Sequence, residues 1–175
     1  MAYDLSGVSV LVIEDDSRMK QLLREILEGF SVRAVRTAAE GRQALERVRE
    51  FDPDIVVVDL RMEPIDGLDF TRMVRRGEGG VNPFLPIIML TGHTERHRVA
   101  EARDAGVTEF LAKPVSAQAL YSRIAAIVER PRPFVRAPSF IGPDRRRRKD
   151  PGYGGRERRG GAAAGLLSEA NTVEI

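Results

Sequence analysis

The sequence predicts an α/β fold in which helices cover both faces of a parallel sheet. From residue 8 to residue 129, short apolar runs alternate with amphipathic stretches, which makes five strand–helix pairs joined by short connections. The apolar runs are continuous and rich in β-branched residues, as strands buried on both faces are. The amphipathic stretches supply the crossover helices that parallel strands require.

The elements follow in order along the chain. Strand Val8–Ile13 precedes a helix from Ser17 to Glu28 in which Ser17 is the predicted N-cap. A short strand at Ser31–Val35 leads to a second helix, which Thr37 is expected to cap and Asp52-Pro53 to end. The remaining strands and helices are predicted at 55–58 and 67–76, at 87–90 and 94–105, and at 107–111 and 116–129.

Composition excludes several classes of protein. The chain has no cysteine, which rules out disulfides, thiolate zinc sites and cysteine nucleophiles. No apolar run approaches the ~20 residues of a membrane span. The N-terminus lacks the basic start of a signal peptide, so a cytoplasmic location is expected. Residues 1–130 carry 18 basic and 21 acidic side chains, whereas residues 131–175 carry 10 and 5, so the basic character belongs to the C-terminal segment.

Residues 131–175 form a basic segment rich in Pro and Gly, and their composition predicts a disordered tail. The basic run Arg145–Lys149 is expected either to be solvated or to bind nucleic acid, anionic lipid or an acidic partner through charge. No DNA-reading motif follows it. Four apolar side chains precede the run and are candidates to dock on a partner or on the folded part of this chain. They are Phe134, Val135, Phe140 and Ile141.

Polar residues follow the predicted strands at the edge where their carboxyl ends meet, which is where open α/β sheets bind ligands. Glu14 and Asp15 follow the first strand, Asp59 ends the third, Thr91 follows the fourth and Lys113 follows the fifth. Clustered carboxylates repel one another, and a divalent cation relieves that repulsion. Oxygen ligands without His or Cys favour Mg²⁺ over zinc.

Asp59 is the predicted nucleophile because it ends the most apolar strand, and a carboxylate can attack phosphorus to form an aspartyl phosphate. Glu14, Asp15 and Asp59 are the predicted Mg²⁺ ligands, with the backbone carbonyl of Arg61 as a further oxygen. Lys113 is expected to neutralise phosphoryl oxygens, and the Thr91 hydroxyl to donate to one of them.

Four sequence blocks resemble the signature blocks of bacterial response-regulator receiver domains. The blocks are VLVIEDD, DIVVVDLRMEPIDG, PIIMLTG and FLAKP. The resemblance implies that residues 1–130 are a receiver domain with a flavodoxin-like, doubly wound sheet of five strands in order 2-1-3-4-5, with five helices. It also implies a two-component phosphorelay in which a sensor histidine kinase or phosphotransfer protein phosphorylates Asp59. In this family a proline often stands four residues after the phosphorylated Asp, whereas Glu63 and then Pro64 stand here.

The resemblance further implies a switch formed by Thr91 and Phe110 that remodels the surface of residues 95–129 for a downstream target protein. Arg61 and His93 take positions that tune hydrolysis in the family, and the long Arg61 side chain predicts slow autodephosphorylation. The chain is therefore expected to be a phosphoacceptor rather than an enzyme. Three alternatives stay open: a receiver that gates binding by the basic tail, a phosphorylation-independent adaptor, and a metal bound by His93 and His97. The sequence leaves the oligomeric state undetermined.

Overall fold

The computed structural model describes residues 3–92 and 97–144 and the backbone strand 172–174. Five parallel strands form one sheet in the order β2-β1-β3-β4-β5, which confirms the predicted fold class and strand order. The strands are β1 (Ser9–Ile13), β2 (Ala34–Ala38), β3 (Ile55–Asp59), β4 (Ile87–Thr91) and β5 (Glu109–Ala112). The helices are α1 (Ser17–Gly29), α2 (Gly41–Phe51), α3 (Gly67–Arg75), α4 (Val99–Ala105) and α5 (Ala117–Glu129). Among the described residues, no helix is long and apolar enough to span a membrane.

The central strands are buried on both faces because helices cover the sheet from each side. Along β3, Val56 and Val58 point into one apolar cluster, and Val57 points into the other. The first cluster also contains Phe70 of α3, and the second contains Leu120 of α5. Every residue of β1, β3 and β4 is buried, so these strands hold the residues at their carboxyl ends in fixed positions.

Two predicted caps and one predicted strand are displaced along the chain. Asp16, not Ser17, caps α1, because its carboxylate accepts from the Met19 amide at 2.7 Å. Thr37 lies in β2 and Glu40 caps α2 instead. The second strand begins three residues later than predicted because Ser31 has a left-handed φ of 58° in the turn after α1.

The prediction of a disordered tail is wrong for residues 134–143. Strands β6 (Phe134–Ala137) and β7 (Phe140–Pro143) form an antiparallel hairpin, and β8 (Thr172–Glu174) pairs in parallel with β6. The hairpin is ordered because its aromatic residues meet the sheet domain: Phe134 is buried and packs edge-on against Phe84 at 5.6 Å. Residues 145–171, including the basic run, lie outside the described residues.

Candidate metal centre

The parallel register brings Glu14 and Asp59 together at the carboxyl edge of the sheet. Ile13 lies opposite Val58 in the β1–β3 ladder, so the next residue of each strand, Glu14 and Asp59, leaves the sheet side by side. Both carboxylates are buried. Lys113 follows β5, and its Nζ lies 2.9 Å from Asp59 Oδ1 and 3.4 Å from Glu14 Oε2. The lysine therefore links the first and third strand ends across the candidate site.

One carboxylate oxygen from each of Glu14, Asp15 and Asp59 lies within 4.8 Å of the others. Asp15 is exposed, whereas the other two are buried, so the acidic cluster opens to solvent on one side. These three residues are the predicted ligand set, and their oxygens match the preference of Mg²⁺ for carboxylates with remaining positions for water. The donor set thus fits a hard divalent cation.

The electrostatics of the cluster also favour a cation. Burial, and then the negative charge of Asp59, raise the pKa of Glu14 to about 7, although Lys113 opposes the rise. Burial disfavours the charge on Lys113, but its hydrogen bond to Asp59 and the charges of Asp59 and Glu14 raise its pKa overall. Two carboxylates therefore compete for one ammonium group, and a divalent cation supplies the positive charge that the cluster lacks.

Thr91 and Phe110 lie on the neighbouring strands at the same side of the molecule. Thr91 is buried at the end of β4, opposite Ala112 of β5, and its carbonyl accepts from the Lys113 amide at 2.9 Å. Phe110 is half-buried on β5 and packs against the apolar cluster that includes Ala102 of α4. The structure thus places Thr91 beside the Lys113 backbone and Phe110 against the apolar cluster on one face of the sheet.

The two predicted tuning positions differ in what the structure describes. Arg61 is exposed two residues past Asp59. His93 lies outside the described residues, and so does its pairing with His97, which is itself exposed. The Glu63-Pro64 and Lys113-Pro114 peptide bonds are both cis, and Glu63, the departure from the family pattern, is exposed.

Sequence reasoning missed an ion pair that ties two helices together beside the site. Arg98, just before α4, donates to Asp66 at 2.8 Å, and Asp66 also caps α3 by accepting from the Asp69 amide at 2.9 Å. Arg98 had no local signal, because its partner lies 32 residues away in the chain.

Comparisons with known proteins agree with this geometry. Residues 10–125 match the model of the response regulator receiver domain. The chain is 32% identical over 123 residues to the DNA-binding response regulator MtrA of Mycobacterium tuberculosis, which covers 69% of this chain and 50% of MtrA. It is 29% identical over 124 residues to the chemotaxis protein CheY-3 of Vibrio cholerae, which covers 71% of this chain and 94% of that protein. The chain thus spans about half the length of the MtrA relatives it matches.

Solved structures give the same result for the fold. The chemotaxis protein CheY4 of Vibrio cholerae superposes with a TM-score of 0.64 at 28% identity, over 69% of this chain and 98% of that one. A response regulator receiver domain protein from Clostridium thermocellum superposes with a TM-score of 0.64 at 30% identity, over 70% and 95% of the two chains.

Proposed function

This chain belongs to the family of response regulator receiver domains, and from that premise we propose that Asp59 accepts a phosphoryl group from the phosphohistidine of a sensor histidine kinase or phosphotransfer protein. The observation that carries the proposal is the contact of Lys113 Nζ with Asp59 Oδ1 at 2.9 Å, where one carboxylate oxygen of Asp59 also lies within 4.8 Å of one from each of Glu14 and Asp15. A buried carboxylate with an adjacent cation and a metal-ligand set is the arrangement that phosphoryl transfer needs.

In the proposed reaction, an Asp59 carboxylate oxygen forms a bond to phosphorus while the phosphorus–nitrogen bond of the donor histidine breaks. The electron pair of that bond returns to the imidazole nitrogen of the donor. Lys113 turns from Asp59 towards the phosphoryl oxygens and neutralises their charge, and Thr91 donates its hydroxyl to one of them. Bound Mg²⁺, held by Glu14, Asp15, Asp59 and the Arg61 carbonyl, would neutralise phosphoryl charge.

The output we propose is a change of surface. The Thr91 hydroxyl moves towards the phosphoryl group, and Phe110 rotates into the space that it leaves. Since Phe110 packs against the apolar cluster that includes Ala102 of α4, its rotation would alter the surface of residues 95–129, which binds the downstream target protein. The proposal includes a cytoplasmic location.

The chain acts as a phosphoacceptor, not as an enzyme that turns over a separate substrate.

We expect its autodephosphorylation to be slow because the long, exposed side chain of Arg61 can cover the acyl phosphate and keep water from it. The lifetime of radiolabelled phosphoprotein should shorten in Arg61→Ala and stay unchanged in Arg42→Ala, an exposed arginine on α2. A wild-type lifetime of only seconds contradicts this expectation.

The alternative functions receive less support. A receiver that gates nucleic-acid or anionic-surface binding would use the basic run Arg145–Lys149, which lies outside the residues matched by the family model. A phosphorylation-independent adaptor would have no use for the complete set of acidic residues with Thr91 and Lys113. The phosphorelay is therefore the function that we propose.

The test is labelling of the purified full chain with acetyl phosphate, with and without Mg²⁺. Wild type should be labelled only with Mg²⁺, and Asp59→Asn should not be labelled. Asp69→Asn removes an exposed carboxylate of α3 and is the matched control, which should be labelled like wild type. Equal labelling of wild type and Asp59→Asn would contradict the proposal that Asp59 is the phosphoacceptor.

A further inference from the structure

The hairpin β6–β7 docks at the end of the sheet opposite the acidic cluster. Arg132, just before the hairpin, donates from Nη1 to the carbonyl of Thr108 at 3.2 Å, and Thr108 directly precedes β5. The Thr108 hydroxyl in turn accepts from the amide of Ile87, the first residue of β4. Strand β7 contacts α4. The hairpin therefore covers the amino ends of two strands and one end of α4.

The surface that receives the hairpin, called the dock below, is built around a buried arginine. Arg75, the last residue of α3, donates from Nε and Nη2 to the Gly106 carbonyl at 3.0 and 2.8 Å. Its Nη1 donates to the carbonyls of Pro83 and Leu85, both at 2.7 Å. The ring of Phe134 covers the guanidinium, with its centroid 4.9 Å from the Arg75 Cζ. Burial lowers the pKa of Arg75 to about 9, so the group stays charged at neutral pH.

Two glycines let the hairpin approach the sheet domain backbone to backbone. A Cβ atom on Gly142 of β7 would lie 2.8 Å from the Cα of Gly106, the residue after α4. A Cβ on Gly106 would lie 2.5 Å from the carbonyl oxygen of Ile141. Distances this short leave no room for a side chain on either partner. The contact therefore fixes the hairpin against the end of α4 in one position.

Helices α3 and α4 each reach from the candidate metal centre to the hairpin. Helix α3 begins at Gly67, where a Cβ would lie 2.4 Å from the Asp59 carbonyl oxygen, and it ends at Arg75 under the Phe134 ring. Helix α4 is preceded by Arg98, which pairs with the cap of α3, and is followed by Gly106 under β7. Each helix thus forms one contiguous element between the metal centre and the hairpin.

We propose that the hairpin is an intramolecular ligand of the receiver domain, and that its docking equilibrium is coupled through α3 and α4 to phosphorylation of Asp59. The coupling rests on the proposed phosphorylation, whereas the docking does not. Because the Gly106–Gly142 contact permits no sliding, a shift of α4 weakens or strengthens the docked state as a whole. Undocking exposes Phe134 and the Arg75 guanidinium together, which creates a new surface for a partner.

The test uses hydrogen exchange of the full chain, with beryllofluoride and Mg²⁺ as the phosphoryl mimic. The Asp144 amide donates to the Pro133 carbonyl at 2.8 Å across the base of the hairpin and should be protected in wild type. Gly142→Ala should lower that protection by about tenfold or more. Gly7→Ala is the matched control, because a Cβ on Gly7 meets no atom within 4 Å, and it should leave protection unchanged.

The coupling between binding of the phosphoryl mimic and docking of the hairpin is measured in the same samples. Mg²⁺ and beryllofluoride should change Asp144 protection in wild type, and Gly142→Ala should change beryllofluoride affinity by a matching factor, since linkage between two equilibria is reciprocal. Phe134→Ala removes the ring without adding a clash and should repeat the effect of Gly142→Ala. Protection of the β1 and β3 amides shows that each variant is folded.

Each contrary result has a distinct meaning. If the wild-type Asp144 amide exchanges as fast as that of Gly142→Ala, the hairpin does not dock and the inference is overturned. If beryllofluoride binds wild type and Gly142→Ala equally and leaves hairpin exchange unchanged, the coupling is overturned and the phosphorylation proposal stands. If beryllofluoride does not bind wild type at all, the proposed function fails and the coupling fails with it.

Discussion

The two ends of the sheet each bury a charged group, but they stabilise it in different ways. At the carboxyl end, Glu14 and Asp59 lie beside the ammonium group of Lys113, and an exposed Asp15 adds a third carboxylate. At the amino end, Arg75 donates to three backbone carbonyls and lies under an aromatic ring. The salt bridges of the described residues include none with Arg75.

The groups at the carboxyl end can change their charge partners, whereas the arginine at the amino end keeps its charge and its partners. Carboxylates and an amine can each exchange partners with a cation or a phosphoryl group, so the carboxyl end is able to respond to phosphorylation. Backbone carbonyls neither titrate nor move independently of their loops, so the amino end holds the loops before β4 and β5 in place. One end is suited to chemistry and the other to holding structure.

The largest expected effect tests the carboxyl end of the sheet. Lys113→Ala should slow labelling by acetyl phosphate by about 10²–10³-fold, because it removes the side chain that neutralises phosphoryl charge. Arg103→Ala removes an exposed cation of α4 and should leave the rate unchanged. Initial rates of labelling at saturating Mg²⁺ measure both variants. If Lys113→Ala were labelled at a rate close to that of wild type, the proposal that the carboxyl end responds to phosphorylation through Lys113 would be contradicted.

The second-largest expected effect tests the amino end of the sheet. Arg75→Met should lower the free energy of unfolding by about 3 kcal/mol, because it leaves the carbonyls of Pro83, Leu85 and Gly106 without their buried donor. Urea denaturation measures the change. Arg72→Met, one helical turn earlier on the exposed face of α3, is the control and should change stability by less than about 0.5 kcal/mol. Equal effects of the two substitutions would contradict the structural role of Arg75.

The smallest effect is a pH dependence at the carboxyl end. The pKa of Glu14 is raised from 4.5 to about 7, so the folded protein binds a proton that the unfolded chain has released. Without metal, stability should therefore fall as the pH rises through this window. Mg²⁺ must displace that proton, so its affinity should rise by about tenfold per pH unit below 7. Titrations followed by calorimetry measure the affinity, and a flat profile contradicts the expectation.

Much of the carboxyl end was predictable from the sequence because its determinants are local. Each functional residue lies at or directly after the end of a predicted strand, and parallel strands bring such positions to one edge regardless of the details of packing. The sequence alone therefore groups Glu14, Asp59 and Lys113 at that edge. It does not predict the contact of Lys113 with Glu14 as well as with Asp59, because that contact depends on the direction of the lysine side chain.

The amino end was not predictable for a physical reason. Arg75 binds carbonyl oxygens, which every residue carries, so no side-chain pattern marks its partners. The tail was predicted to be disordered because Pro and Gly dilute its aliphatic content. A few aromatic residues suffice to order the hairpin because the surface that receives them is already built, and a segment that docks on a finished surface needs little core of its own.

The order of the chain adds a consequence to the docking of the hairpin. Arg75, the carbonyls of Pro83 and Leu85, and Gly106 all precede the hairpin in the sequence, so the ribosome releases the complete dock before it releases Phe134. Because domains begin to fold in the order in which they are synthesised, the hairpin closes over a sheet domain that is already formed. A nascent chain interrupted before residue 134 would therefore present an uncovered guanidinium, which distinguishes an unfinished protein from a finished one.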